Sequence, residues 1–281
     1  MLLVTESDIA TLIANAWRPP HLTARKFVRA WGSGNLPVLY ECDAGQWVVK
    51  APRTDRPAVA RNLVAEQVVS RLGVTLGAAV PEPAIVDVPR EVAPATMVPG
   101  PAHGSRYIPG LGPFRKLPGG GWPSPGPHVF ATAPLRRLAL LHEWVWVQDH
   151  ELHAGAGNVF GVDYEAAFGS RPWSLASLRL TVRRRLWLAP FSDNQSAPPT
   201  QDDLAALQAM SDETVAAAVA ACPDEWGASS EERAAVVEYL LLRRDWLVST
   251  VIPQPAPVRV HDEPWPLQPW MPEWGSQSLS A

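Results

Sequence analysis

The spacing of hydrophobic residues changes along this chain, and that change limits the folds open to it. From Phe27 to Lys50, short apolar runs alternate with polar residues and are broken by glycine, a pattern typical of β-strands. From about Thr132 onwards, apolar residues recur every three or four positions, which indicates helices. Strands followed by helices, rather than alternating with them, predict an α+β fold.

The strand-rich half also contains helical stretches. An amphipathic helix is predicted over 6–17, and a second from about Ala58 to Leu72, with Gly73 just beyond it as a C-terminal stop. We therefore expect a small antiparallel sheet accompanied by helices. The predicted strands are a hairpin formed by 38–42 and 47–50, an edge strand over 80–88, and a short strand over 159–162.

Proline and glycine divide the chain into parts. Residues 89–127 are rich in both and are predicted to form loops over a cleft. Helices are predicted at 132–146, 201–221 and 229–250, and Arg243 is expected on a solvated helix face or in a local ion pair. The predicted parts are a sheet lobe with its N-terminal helix (1–100), connecting and cleft loops (101–127), a helical lobe (128–252) and a tail rich in proline and tryptophan (253–281).

Composition excludes several classes of protein. Hydrophobic residues make up 47% of the 281 residues, enough for a sizeable core, and the net charge of -4 lacks the basic footprint of a nucleic-acid binder. No apolar stretch reaches the roughly 18 residues of a membrane span. Cys42 and Cys222 match no metal-ligand spacing. We expect a cytoplasmic protein without nucleic-acid or membrane partners.

Five polar residues occur in the order that phosphoryl transfer requires. That chemistry depends on positioning and charge neutralisation: a strand lysine for the phosphates, a helix glutamate to hold the lysine, a loop aspartate near the acceptor hydroxyl, and oxygen ligands for magnesium. Each of these residues alone has an ordinary structural interpretation, so the prediction depends on their joint order. The candidates are Lys50, Glu66, Asp149, Asn158 and Asp163.

The surrounding segments resemble those of the HipA-like kinases. Residues 47–50 resemble the lysine strand of that family, and 62–74 with 80–84 its glutamate helix and following strand. Residues 103–107 resemble its glycine-serine motif, and 160–169 the segment that bears the metal aspartate. The similarity extends from about Ala30 to Leu247, including 222–226 and the helix after it.

The resemblance implies a bilobed kinase fold with a small antiparallel-sheet N-lobe and a mainly helical C-lobe. It also implies ATP- and Mg²⁺-dependent phosphorylation of a serine or threonine hydroxyl on a protein substrate. Lys50 would hold the phosphates, Glu66 would orient Lys50, Asp149 would align the hydroxyl, and Asn158 with Asp163 would bind the metal.

Two features depart from the family pattern. The family places its asparagine five residues after the catalytic aspartate, whereas Asp149 precedes Asn158 by nine. Either the loop carries an insertion, or His153, five residues before Asn158, occupies the aspartate position and accepts a proton there. The segment Gly32-Ser33-Gly34 has two glycines rather than three, so it could cover phosphates or form an ordinary turn.

Three functions are therefore open. The first is an active kinase, and the second is a catalytically silent kinase-like module that binds nucleotide as a switch or scaffold. The third is an interaction protein that binds a partner through the tail over 253–281.

Overall fold

The computed structural model describes residues 5–32, 36–56, 60–113, 131–155, 158–184 and 198–251. Their arrangement confirms the α+β class. The helices are α1 (Glu6–Asn15), α2 (Ala60–Leu76), α3 (Ala133–Val145), α4 (Leu175–Thr181), α5 (Gln201–Gln208), α6 (Asp212–Ala220) and α7 (Ser230–Thr250). The strands are β1 (Leu22–Ala30), β2 (Val38–Cys42), β3 (Gly45–Lys50), β4 (Pro83–Val88), β5 (Gly100–Arg106), β6 (Gly112–Pro113), β7 (Glu151–Gly155) and β8 (Asn158–Val162). No helix in these ranges has the length and apolarity needed to cross a membrane.

Five strands form a closed barrel in the order β1-β2-β3-β5-β4. Four of its pairings are antiparallel, but β1 pairs with β4 in parallel, through Leu22 with Val86 and Thr23 with Asp87. The expectation of a purely antiparallel sheet is therefore wrong. The strand pattern in the sequence begins at Phe27, whereas β1 begins five residues earlier, at Leu22. The residues at this earlier start pair with β4.

Alternation along the strands gives the barrel two distinct faces. The interior is filled by side chains such as Tyr40, Trp47, Val49 and Val86. Because successive side chains point to opposite faces, the neighbours of the inward residues on β3 and β5 lie on the outer face. These outer residues are Val48, Lys50, His103 and Ser105, and Lys50 is paired with His103.

The helices form a second core that includes α2. Leu63, Val68 and Leu72 of α2 are buried in one cluster with residues of α1, α3, α6 and α7. The predicted division assigned α1 and α2 to the sheet lobe, whereas their apolar side chains join the helical core. Burying one such side chain contributes about 1.5–3 kcal/mol, so this packing fixes α2 firmly to the helical half.

Helix α2 continues past its predicted stop. Gly73 lies inside the helix, where an added Cβ would stand 2.8 Å from Val80 Cγ2 and 2.9 Å from Leu141 Cδ2. Close packing therefore explains this glycine. The helix ends before Gly77, whose φ of +72° favours glycine and turns the chain towards β4.

Two segments predicted as loops are strands. Residues 100–106 fall within the predicted loop region 89–127, yet β5 is paired on both sides, with β3 and β4. The predicted polar loop over 148–157 contains β7, which pairs with β8. Neither segment has strong alternation, so pairing with neighbouring strands determines both. The rest of the predicted cleft loops, at 114–127, and the tail from 253 lie outside the described residues.

The helical half contains more elements than its sequence pattern predicts. The predicted helix over 201–221 is two helices, because Ser211 starts a new one and its hydroxyl accepts a hydrogen bond from Thr214 N. Helix α4 has no counterpart among the predictions. Arg243 was expected on a solvated face or in a local ion pair. It is fully buried in α7, where it lies 3.8 Å from Glu143 Oε1 and donates to the carbonyl of Trp144 at 2.6 Å.

Candidate functional site

Lys50 ends β3 on the outer face of the barrel and is held by α2. Its ammonium contacts Glu66 Oε1, and Glu66 is only 2% exposed. The second carboxylate oxygen of Glu66 accepts a hydrogen bond of 3.0 Å from Tyr164 N. Glu66 therefore connects the barrel, through Lys50, to the segment that follows β8.

Asp163 approaches the same ammonium from the other side. It follows β8 in the left-handed region, with φ 62°, a conformation that aspartate tolerates better than most residues. Its Oδ1 lies 3.1 Å from Lys50 Nζ, and its side chain is 28% exposed. The structure thus places a lysine of the sheet against a carboxylate of the helical half, as the order of the residues predicted.

The three charges do not balance, and this affects their titration. Burial raises the pKa of Glu66 to about 7; Lys50 opposes that rise and the Asp163 carboxylate adds to it. Burial disfavours the charged form of Lys50, but the two carboxylates outweigh burial and raise its pKa. When both carboxylates are ionised, one lysine between them leaves a net negative charge, which a further cation would neutralise.

The β7–β8 hairpin separates the two predicted metal ligands. Gly155 pairs with Asn158 at its closed end, and Glu151 pairs with Val162 at its open end. Asn158 and Asp163 are therefore five strand residues apart, roughly 16 Å. At this separation a single metal ion cannot contact both side chains, so the structure does not bring the predicted Asn158–Asp163 pair together.

Asp149 lies at the open end of that hairpin. It is exposed, and it comes two residues before Glu151, whose partner Val162 directly precedes Asp163. The topology therefore brings Asp149 to the same end of the hairpin as Asp163. Of the two predicted arrangements, the one that uses Asp149 agrees with this placement.

His153 lies within the hairpin rather than at its open end. It pairs with Phe160 in the middle of the two strands, and its Nε2 is 2.8 Å from Glu151 Oε1. A proton acceptor next to Lys50 and Asp163 would have to lie nearer the open end. The structure does not place His153 there.

The glycine segment is described only in part. Gly32 follows β1, and a Cβ added to it would have no neighbour within 4 Å. Ser33 and Gly34 lie outside the described residues. The predicted phosphate-covering role therefore stays a prediction for all three.

Further polar residues surround the site that the sequence pattern did not single out. Asn62 and Glu165 line a small cavity together with Lys50 and Glu66. Asn62 Nδ2 donates to Glu165 Oε2 at 3.5 Å, and Arg171 forms an ion pair with Glu165. In the sequence, the one indication that Glu165 belongs to the site is its position two residues after Asp163. Its contact with α2, 103 residues away in sequence, required the fold.

Two stacked histidines lie beside Asp149. His142 of α3 and His150 have their Nδ1 atoms 2.9 Å apart and their ring centroids 4.8 Å apart. Burial lowers the pKa of His150 to about 4, and it lowers the pKa of His142 well below its ordinary value. Among the described residues, the buried Nε2 of His142 has no hydrogen-bond partner.

A larger groove of about 490 Å³ lies elsewhere, between α1, α4 and α7. Its walls include Leu178, Arg179, Glu231 and Glu238, and none of the predicted site residues. The charge pattern at Lys50, rather than cavity size, therefore identifies the candidate site.

Comparisons with known proteins add no family assignment. No protein-family model matches this chain, and no curated protein or solved structure matches it significantly.

Proposed function

We propose that this chain is an ATP- and Mg²⁺-dependent phosphotransferase with a bilobed, kinase-like arrangement that phosphorylates a serine or threonine hydroxyl of a protein. One observation carries the proposal: the ammonium of Lys50 is held between Glu66 of α2 and Asp163 after β8. A lysine fixed in this way supplies a positive charge for phosphate oxygens. A carboxylate beside it supplies an oxygen ligand for a divalent cation.

The residues present are suited to Mg²⁺, although not in the set that the sequence predicted. Lys50 Nζ lies 3.1 Å from Asp163 Oδ1, and a carboxylate oxygen has more than one lone pair, so Asp163 can contact a cation as well. Mg²⁺ commonly takes only one or two carboxylates and completes its shell with water and phosphates. Asp163 would hold it, and water and phosphate oxygens would complete the shell without Asn158. When bound, the ion would neutralise phosphate charge.

The roles of the protein groups follow from their positions. Glu66 keeps Lys50 in place, because its other oxygen is fixed by Tyr164 N. Lys50 would bind phosphate oxygens while Asp163 turns towards the metal. The exposed carboxylate of Asp149 would orient the acceptor hydroxyl and take its proton.

A second candidate is a nucleotide-binding module without transfer activity. The displacement of Asn158 to the closed end of the hairpin favours it, because one of the family's metal ligands is then missing from the site. This module would bind nucleotide through Lys50 and act as a switch or scaffold.

Nucleotide-dependent thermal stabilisation, followed by incubation with labelled ATP and a generic protein substrate, tests both candidates. We expect a rise in melting temperature with ATP and Mg²⁺, and label transfer that Asp163→Asn abolishes. The matched control is Asp202→Asn, an exposed carboxylate in the first turn of α5, which should leave both signals unchanged.

The outcomes distinguish the candidates. Stabilisation by ATP without transfer under any condition would select the silent module. Absence of any nucleotide-dependent stabilisation would refute both.

A further inference from the structure

The groove between α1, α4 and α7 is a trough with helical walls, and its volume is about 490 Å³. The residues of its α7 wall recur every three or four positions, which keeps them on one face of the helix. They are Glu231, Ala234, Ala235, Glu238, Tyr239 and Leu242. At the rise of an α-helix this wall is roughly 16 Å long, so the groove has room for about three turns of another helix.

The floor of the groove is apolar and partly open to solvent. Leu175 and Val182 on the α4 side, and Ala235 and Leu242 of α7, are half-buried, so each exposes part of its apolar surface. The short side chain of Ala235 allows another backbone to approach α7 closely. A concave apolar surface between two helices is suited to the apolar face of an amphipathic helix.

The two walls carry opposite charges. Glu231 and Glu238 of α7 are exposed and lie seven residues apart, roughly 10 Å, on the same side of the helix. Among the described residues, neither carboxylate has an ion-pair partner. Arg179 is exposed on the α4 wall. The groove therefore favours an occupant that is basic along one edge, and Arg179 disfavours one that is basic along both edges.

Two occupants that the chain itself could supply are disfavoured by charge. The tail over 253–281 contains Asp262, Glu263 and Glu273 against a single arginine, Arg259, so the acidic wall would repel it. A second copy of the chain carries the same net charge of -4, so two copies repel each other. A basic segment of another protein fits the charges of the groove better.

We propose that this groove is a docking site for a basic amphipathic helix of a partner protein. The apolar side chains of that helix would cover Ala235 and Leu242. Its lysine or arginine residues, seven positions apart on one edge, would lie beside Glu231 and Glu238. None of the described residues that line the groove belongs to the Lys50 site. The proposal is therefore independent of the proposed function, and either can fail without the other.

Fluorescence anisotropy with a labelled synthetic helix tests the proposal on the full chain. The probe is a peptide of about 18 residues, with leucines every three or four positions and two lysines seven residues apart on one edge. The comparison peptide has glutamates in place of these lysines. We expect the lysine peptide to bind about tenfold more tightly, an advantage that shrinks as salt is added. Equal affinities, or no binding of the lysine peptide, would overturn the proposal.

Glu238→Lys tests the charged contact in a way that loss of structure cannot imitate. It should weaken binding of the lysine peptide by about tenfold. It should also strengthen binding of one of the two peptides in which a single lysine is replaced by glutamate. Glu225→Lys makes the same change of charge at an exposed position outside the groove, and it should leave these affinities unchanged. Absence of the strengthened binding would contradict the assigned contact.

Ala235→Trp tests whether the peptide lies on the floor of the groove. The indole would fill the space above α7 and should weaken binding of the lysine peptide by at least about tenfold. The matched control is Ala205→Trp, at an exposed position of α5. Equal affinities of the two variants would place the peptide elsewhere and overturn the proposal.

Two further measurements address occupants from the chain itself. Analytical ultracentrifugation of the full chain should show no self-association that Glu238→Lys removes. A synthetic peptide of residues 253–281 should bind more weakly than the lysine peptide. The opposite result in either measurement would assign the groove to this chain rather than to a partner, and would overturn the proposal.

Discussion

Asn158 is paired with Gly155 at the closed end of the β7–β8 hairpin, five residues along the strand from Asp163. We therefore expect Asn158→Ala to change phosphate transfer less than threefold. Asp149→Asn, at the open end, should reduce transfer at least 100-fold, the usual effect of removing a group that acts on the reacting proton. Initial rates with labelled ATP measure both. Equal losses in the two variants would show that Asn158 reaches the site.

Lys50 should be essential for stability as well as for nucleotide binding. Lys50→Met leaves the buried Glu66 carboxylate without its partner, and breaking a buried ion pair costs about 3–5 kcal/mol. Urea denaturation should show a loss of this size. The control is Lys26→Met, because Lys26 forms an exposed pair with Glu41 and should change the free energy of unfolding by less than about 1 kcal/mol.

The double variant Lys50→Met, Glu66→Leu separates charge from packing. The double variant removes the buried Glu66 carboxylate together with Lys50 and leaves only the partly exposed Asp163 without its partner, so part of the lost stability should return. A double variant as unstable as Lys50→Met would mean that packing around Lys50, not charge, sets the cost.

Glu66 should make stability depend on pH in the direction opposite to an ordinary carboxylate. Its folded pKa of about 7 exceeds its ordinary value of 4.5, so between these values the folded state holds a proton that the unfolded chain lacks. Its contribution to stability is therefore present in full below pH 4.5 and is lost as the pH rises through 7. The free energy of unfolding at pH 5 and pH 7.5 measures it.

Buried histidines with lowered pKa values act in the opposite direction, because they lower the free energy of unfolding as the pH falls below 6.5. The effect of Glu66 is therefore measured as the difference between the wild type and a variant. The free energy of unfolding of Glu66→Gln minus that of the wild type should be larger at pH 7.5 than at pH 5. If wild type and variant change in parallel, Glu66 does not titrate in this range.

Arg243 should be the most sensitive charged residue of the helical half outside the site. Its guanidinium donates to the carbonyls of Glu143, Trp144 and Arg184, which connects the end of α3 to the segment after α4. Arg243→Met removes these donors from buried carbonyls and should cost about 3 kcal/mol or more. Arg183→Met, at an exposed position, should stay within about 0.5 kcal/mol. Thermal unfolding of both variants checks this.

Gly161 should tolerate no side chain. A Cβ at this position of β8 would stand 2.5 Å from the Tyr164 hydroxyl oxygen and 2.7 Å from Leu138 Cδ1, so Gly161→Ala should cost about 1–3 kcal/mol. Gly112→Ala in β6 is the control, because no atom lies within 4 Å of its added Cβ. Equal stability of the two variants would show that β8 shifts to relieve the contact.

The sequence was sufficient for those parts of the fold that depend on local periodicity. The β2–β3 hairpin and helix α3 lie within one or two residues of their predicted bounds, because each combines a clear hydrophobic pattern with turn or cap residues. The order of Lys50, Glu66 and Asp163 likewise predicted a set of charges that the structure brings together.

The parts that could not be predicted depend on contacts between distant residues. Strand β5 has no alternation of its own, and only pairing with β3 and β4 makes it a strand. The hairpin register that removes Asn158 from Asp163 likewise follows from cross-strand pairing. The burial of Arg243 required the carbonyl groups of α3 and the chain after α4, which no local pattern reveals.

The assignment of α2 to the helical core has a mechanical consequence. Glu66 and Asp163 are anchored in the same packed body, whereas Lys50 extends from the barrel. Any displacement of the barrel relative to this body would separate the ammonium from both carboxylates in the same step. A binding partner that moves the barrel would therefore break both ion pairs of Lys50 together.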